Sequence, residues 1–202
     1  MSVLDHLLYA LAWLGFGAVH SALAAAPAKA RLGRWLGSAY RLTYNILAAV
    51  LLGVVWLIGR ALGAHAAPFA LPGWAETAMS LLAIAGGLLM VHAARGYDLG
   101  RFSGVWQWRH NVPLDVAEAD EPLVTDALHR YVRHPIYSAA FLILWGLVRD
   151  PLSLATALWA STYLIVGTRF EERALRRRYG AAYAAYQRRV PAFIPWRGRA
   201  PG

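Results

Sequence analysis

The chain has 202 residues, 58% of them hydrophobic and 15% charged, with a formal net charge of +9. So few charges beside so many apolar residues exclude an ordinary soluble domain and point to a polytopic membrane protein. There is no cysteine, which excludes disulfides, thiolate metal sites and a cysteine nucleophile.

A spanning helix needs about 20 mostly apolar residues, and segments 3–26, 41–60 and 75–94 meet that need. The first resembles a secretory signal in its apolar core and small-residue end. No Lys or Arg precedes that core, however, while Lys29, Arg31, Arg34 and Arg41 follow it. That charge order is the reverse of a signal peptide, so the segment is expected to stay as the first span. A fourth apolar block, 136–168, is interrupted by Arg149, Asp150 and Pro151. It is too long for one span and reads as a tight helical hairpin.

The expected fold is therefore an all-α integral membrane protein with about five transmembrane helices, including a C-terminal hairpin, plus a cytoplasmic C-terminal amphipathic helix. All of 1–202 would form one membrane domain, with three spans in 1–95 and a cytoplasmic connecting loop at 96–135. Nine arginines follow Thr168 against Glu171 and Glu172, loop 27–41 is basic, and loop 61–74 has no Lys or Arg. The positive-inside rule then places loop 27–41, loop 95–135 and the C-terminus in the cytoplasm and the N-terminus outside. On a membrane protein the basic tail is expected to face anionic lipid rather than nucleic acid.

Polar residues collect at the expected cytoplasmic face in three stretches. In "LVTDALHRYVRHPIYSA" (123–139), Pro135 suits the first position of a helix, with Arg133 and His134 just ahead of it. Free backbone N–H groups and two basic side chains there favour an anionic ligand group. The plainer reading is that Arg133 anchors the helix at headgroups and Pro135 merely starts it. In "RFEERALRRRYGAAYAAYQRRVPAFIPW" (169–196), Glu172, Leu175, Tyr179, Tyr183 and Tyr186 recur at helical spacing and are expected on one face of a helix. An interfacial amphipathic helix accounts for the tyrosines and arginines. It does not account for adjacent Glu171 and Glu172, which call for cationic or hydroxyl partners such as Arg133, His134 or a ligand. The third stretch, "RGYDLGRFSGVWQW" (95–108), is rich in glycine and aromatics and lies in a loop longer than connection requires. The histidines have no metal-ligand spacing, so no metal is expected.

Taken in order, "LVTDALHRYVRHPIYSA", a helical hairpin and "EERALRRRYGAAYAAYQRRVPAFIP" resemble the integral-membrane methyltransferases: the isoprenylcysteine carboxyl, phospholipid and methanethiol methyltransferases. The match covers roughly 123–196, the expected cofactor-binding region. "VHSALAA", "YRLTYNILA" and "DLGRFSGVWQ" look more like the methanethiol side of that superfamily. The resemblance implies S-adenosylmethionine as cofactor. His134 and Tyr137 would border it, Pro135 would shape the turn beside the adenine, and Glu171 and Glu172 would receive ribose hydroxyls or the methionine amine. By charge rather than by the resemblance, the helix N-terminus and Arg133 would favour the cofactor carboxylate. The family pattern has Gly and Tyr where Ala127 and His129 stand, and Gly where Ala139 stands.

Methyl transfer from a sulfonium needs positioning more than activation. The expected acceptor is small or membrane-accessible, with a thiol first. The alternatives are the carboxylate of a prenylated cysteine and a phospholipid amine headgroup. A thiol must lose a proton, for which His129 is the first candidate and His20 and His110 stand behind it. A carboxylate would be oriented by Arg188 or Arg189. Two non-enzyme readings remain: an inactive membrane scaffold of the same fold, which Ala139 would favour, and a small transporter, which the lack of repeats and of mid-membrane polar groups opposes.

Overall fold

The computed structural model describes residues 1–113, 116 and 122–197. Part of the expected 96–135 loop, namely 114–115 and 117–121, lies outside the described residues. All described elements are helical: α1 (Val3–Ala24), α2 (Ala26–Leu36), α3 (Tyr40–Leu62), α4 (Gly73–Ala94), α5 (Leu99–Ser103), α6 (Val105–Arg109), α7 (Pro135–Gly146) and α8 (Pro151–Arg189), with 3₁₀ turns at Gly37–Ala39 and Ala127–Arg130. Two compact units result, one from Met1–Ala66 with Tyr97–Pro122, the other from Ala67–Gly96 with Leu123–Gly202.

In the first unit, Ser2 starts α1 through a reciprocal capping box: its hydroxyl accepts from the Asp5 N–H and the Asp5 carboxylate accepts from the Ser2 N–H. Tyr9, Trp13 and Phe16 are buried along one face of α1, and His20 continues that face to meet Tyr44 of α3 with a 2.5 Å Nε2–hydroxyl contact. The stretch 27–41, expected as a loop, is instead helix α2 and a 3₁₀ turn. Pro27 sits in the first turn of α2, where a missing N–H costs nothing, and Gly37 ends it at φ 51°. Basic residues alone did not distinguish a polar helix from a loop.

The second unit holds the expected motifs. Helices α4 and α7 cross very closely: a Cβ on Gly86 would lie 2.8 Å from the backbone nitrogen of Ile143, and one on Gly146 would lie 2.7 Å from the Met79 carbonyl oxygen. Small residues at such a crossing let two apolar backbones gain dispersion contacts that lipid cannot match. The hairpin break falls where Arg149, Asp150 and Pro151 interrupt the apolar block. Asp150 caps α8 by accepting from the Ser153 N–H, and Pro151 occupies its first turn. The Arg149 guanidinium donates to the Gly146 and Val148 carbonyls, to the Glu76 carbonyl and to the Ser80 hydroxyl, so its charge is fully engaged.

Three helical stretches, Val3–Ala24, Ala26–Leu62 and Gly73–Ala94, are long and apolar enough to cross a membrane. Helix α7 has 12 residues, about 18 Å of rise, well short of the ~30 Å hydrocarbon core. Helix α8 runs for 39 residues but breaks at Gly180, whose φ 56° and ψ −127° only glycine adopts without strain. The expectation of one continuous helical face from Glu172 to Tyr186 is therefore corrected. On a straight helix Glu172 and Gln187 would stand about 22 Å apart, yet their side chains meet at 2.5 Å. The chain folds back at Gly180, and a short arm, 181–189, returns along the end of α8. Tyr183, Tyr186 and Val190 of the arm and its exit form a buried cluster against Leu123, Leu175 and Tyr179.

Candidate active site

The N-terminus of α7 is held by the segment that follows the arm. The Arg133 N–H donates to the Pro191 carbonyl at 2.9 Å and the His134 N–H to the Ala192 carbonyl at 3.0 Å. The Ser138 hydroxyl donates to the Phe193 carbonyl at 2.7 Å. Phe193 then packs beside His134 and edge-on against Phe141. Beside this tail lies a cleft of about 280 Å³, lined by Arg133, Pro191, Phe193, Trp196 and Arg197 among others.

Glu172 is the centre of the site. Its Oε1 accepts from Arg133 Nε at 2.7 Å, pairs with Arg133 Nη2 at 2.6 Å and meets His134 Nε2 at 3.1 Å. Its Oε2 accepts from Gln187 Nε2 at 2.5 Å, and Gln187 Oε1 in turn accepts from Arg176 Nε at 2.6 Å. Arg133 Nη1 donates to the Gln187 and Val190 carbonyls. One carboxylate thus ties the α7 N-terminus, the long limb of α8 and the returning arm. Burial pushes its carboxyl upward, but hydrogen bonds from His134 and Arg133 and the Arg133 charge outweigh that and hold it below the usual carboxylate range.

Glu171 is placed differently. Its side chain is 44% exposed, against 13% for Glu172. Its Oε2 accepts from the Tyr137 hydroxyl at 2.9 Å and stands 3.7 Å from His134 Nδ1. Its other oxygen has no partner among the described residues. The rings of His134 and Tyr137 stack with 6° between their planes at 5.4 Å, and Pro135 is buried in the first turn of α7.

The structure therefore brings together Arg133, His134, Pro135, Tyr137, Glu171 and Glu172. His129 lies in the 3₁₀ turn before α7, half-buried, with its carbonyl accepting the Tyr186 hydroxyl at 2.6 Å. Burial lowers its imidazole below the ordinary histidine value; nearby Asp126 opposes this and His134 adds to it. Arg188 and Arg189 are exposed in the last turn of the arm and have no partner among the described residues. His20 and His110 belong to the other unit, where His20 meets Tyr44 and His110 Nδ1 lies 2.8 Å from the Trp106 carbonyl. Ala139 is fully buried, so its methyl sits in protein packing and not in an open pocket. Among the described residues no cluster of His, Cys, Asp and Glu can hold a metal.

Sequence reasoning missed Gln187, Arg176 and Ser138. The one available signal was the Gly in "RRYGAAY", which reads as a break once it is allowed to end a helix. A reversal there brings Gln187 within reach of Glu172.

The model of the phospholipid methyltransferase family matches residues 75–182, more than half of the chain. Among curated proteins, a methanethiol S-methyltransferase of Crocosphaera subtropica is 36% identical over 78 residues, 37% of this chain and 30% of that protein. Methanethiol S-methyltransferase 1 of Bradyrhizobium diazoefficiens is 38% identical over 74 residues, 36% of this chain and 26% of the relative. A methanethiol S-methyltransferase of Pseudomonas deceptionensis is 33% identical over 79 residues, 39% of this chain and 30% of the relative. The chain thus spans about a third or less of the length of these relatives. No solved structure matches it. With the paired-carboxylate site lying at the start of α7 and the middle of α8, and the family match running through both, the chain belongs to the phospholipid methyltransferase family.

Proposed function

We propose that the chain is a membrane-embedded methyltransferase that uses S-adenosylmethionine and methylates a small thiol. The single observation that carries this reading is the division between the two adjacent carboxylates. Glu172 is only 13% exposed and fully engaged, whereas Glu171 is open and holds a free oxygen beside a stacked His–Tyr pair. A structural ion pair needs one carboxylate; the second, exposed and aimed outward, suits a ligand with hydroxyls or an amine.

The residues fit such a cofactor. Glu171 would accept from ribose hydroxyls or the amine, the stacked rings of His134 and Tyr137 would border it, and Pro135 would shape the turn beside it. Arg133 would serve this site by keeping Glu172 ionised and in place, since its guanidinium is already spent on Glu172 and two carbonyls. When bound, the cofactor supplies a methyl group on a sulfonium, open to in-line displacement. A thiol acceptor must first be ionised. His129, held neutral at pH 7 by burial, accepts the thiol proton on a ring nitrogen and returns it to water after turnover. The methanethiol names of the relatives support the thiol acceptor. The family description supports the second reading, N-methylation of a phospholipid headgroup.

The proposed topology keeps the whole chain as one membrane domain, with α1, α3 and α4 as full spans and α7 with the apolar first part of α8 as a hairpin in which α7, at 12 residues, is the short limb. The N-terminus lies outside, and the site, with the arm as its amphipathic element against the headgroups, lies in the cytoplasm. The test is calorimetric titration of purified protein with S-adenosylhomocysteine beside a His134→Ala control. Micromolar binding that the control loses supports the reading. No binding to folded protein leaves the inactive scaffold.

A further inference from the structure

None of the 11 residues of α2 is buried, and Trp35 near its end is 88% exposed. Leu32, Trp35 and Leu36 are all exposed, and their spacing of three and four places them on one face of the helix. Lys29 and Arg31 flank that face on either side, and Arg34 lies beyond Arg31. Arg31 and Arg34 are exposed, and no acidic residue occurs between Asp5 and Glu76. An apolar stripe edged by cations, with tryptophan in the stripe, is the pattern of a helix lying in a membrane interface.

The neighbouring helices bring α2 to such an interface. Helix α1 and the stretch Ala26–Leu62 are each long and apolar enough to cross a membrane. Built straight, the 37 residues of Ala26–Leu62 would run about 55 Å, against a hydrocarbon core of ~30 Å. The stretch is not straight: Gly37 breaks it at φ 51° and ψ −126°, almost the backbone with which Gly180 folds the arm back. At its other end α2 is parted from α1 by one extended residue, Ala25. The Tyr40 hydroxyl donates to the Leu23 carbonyl at 2.6 Å, which pins the end of α1 to the start of α3. The chain therefore leaves one span and enters the next at the same membrane face, and α2 is the excursion between them.

We infer that α2 is a docking surface for anionic phospholipid. Leu32, Trp35 and Leu36 lie at the acyl boundary, while Lys29, Arg31 and Arg34 extend their stems along it and reach the headgroup phosphates. A zwitterionic bilayer satisfies the stripe alone; three cations without a carboxylate in the helix call for headgroups of net negative charge. The inference rests on α1 and α3 crossing the membrane and is independent of the cofactor reading.

The chain has no cysteine, so one introduced thiol carries a spin label without competition. Labels are placed singly at Leu32→Cys on the apolar face, at Ala30→Cys nearly opposite it, and at Val50→Cys, 55% exposed in the middle of α3. Collision with oxygen, which concentrates in lipid, is compared with collision with a water-soluble nickel chelate. The full chain is held in nanodiscs of phosphatidylcholine, or of phosphatidylcholine mixed with phosphatidylglycerol. In the mixed discs the oxygen-to-nickel ratio is expected to be about tenfold higher at Leu32→Cys than at Ala30→Cys. In phosphatidylcholine alone the ratio at Leu32→Cys should fall about threefold. Adding Lys29→Gln, Arg31→Gln and Arg34→Gln should remove that dependence on phosphatidylglycerol. Equal ratios on the two faces of α2, or a ratio at Leu32→Cys indifferent to phosphatidylglycerol, overturn the inference. A Leu32→Cys label closed to both reagents means that protein, another chain or a second copy, covers the face, and this also overturns it. Free access of the nickel chelate to Val50→Cys sinks the span reading and this inference together.

Discussion

Glu172→Gln and Glu171→Gln should separate stability from binding. The Glu172 carboxylate receives Arg133 through two nitrogens at 2.7 and 2.6 Å, His134 at 3.1 Å and Gln187 at 2.5 Å. An amide in its place keeps one acceptor but turns the other into a donor facing the Gln187 amide, and it leaves the Arg133 charge, 9% exposed, without its counter-ion. Breaking a buried pair by removing one partner costs about 3–5 kcal/mol, and the retained acceptor places this variant near the lower end. Glu171→Gln loses one exposed contact with Tyr137 and should cost under about 1 kcal/mol. Its Kd for S-adenosylhomocysteine should nevertheless rise about tenfold, as expected for loss of one charge-assisted hydrogen bond. Thermal or denaturant unfolding in detergent reads the first quantity and calorimetry the second. The Glu172 contribution also has a pH signature. Its folded-state carboxyl lies below the unfolded value of 4.5, so the stabilisation is complete above that pH and is lost as pH falls through the lower folded value. The gap between wild type and Glu172→Gln should close in that range. Equal stability losses in the two variants, or a gap that does not change in acid, would refute the assignment of Glu172 as the structural carboxylate.

Three further outcomes follow from particular residues. Ala127 sits at φ 45°, where a side chain costs about 1–2 kcal/mol, so Ala127→Gly should raise the unfolding free energy by about 1 kcal/mol. Gly146→Ala sets a methyl 2.7 Å from the Met79 carbonyl oxygen, and overpacking of this kind costs about 1–3 kcal/mol, readable as a lower melting temperature. If His129 takes the thiol proton, kcat/KM for methyl transfer should fall as pH drops through its imidazole pKa, which burial places below 6.5, and His129→Asn should lower the rate and abolish that acid limb.

The three helical stretches long and apolar enough to cross a membrane and the hairpin break were legible because apolar runs ending at charges or Pro leave little freedom in where a helix can start and stop. The expected segments 41–60 and 75–94 emerge as Tyr40–Leu62 and Gly73–Ala94. The pairing of Glu172 with Arg133 and His134 was also anticipated, because a carboxylate at that depth must find cations nearby. Two features were not legible. The arm reverses at one glycine inside a pattern whose helical period continues unbroken from Leu175 to Tyr186, so periodicity saw a single face where the chain makes a bend. The different duties of Glu171 and Glu172 depend on burial, and burial depends on that bend returning Gln187 to the site.

The most direct test of the central claim is methyl transfer itself: purified chain in lipid nanodiscs, S-adenosylmethionine labelled in its methyl group, and the proposed small alkyl thiol as acceptor. A labelled methyl thioether should form in step with S-adenosylhomocysteine and be lost in Glu171→Gln at limiting cofactor. Folded protein that binds S-adenosylhomocysteine but transfers no label to thiol, or label transfer that does not depend on Glu171, would contradict it.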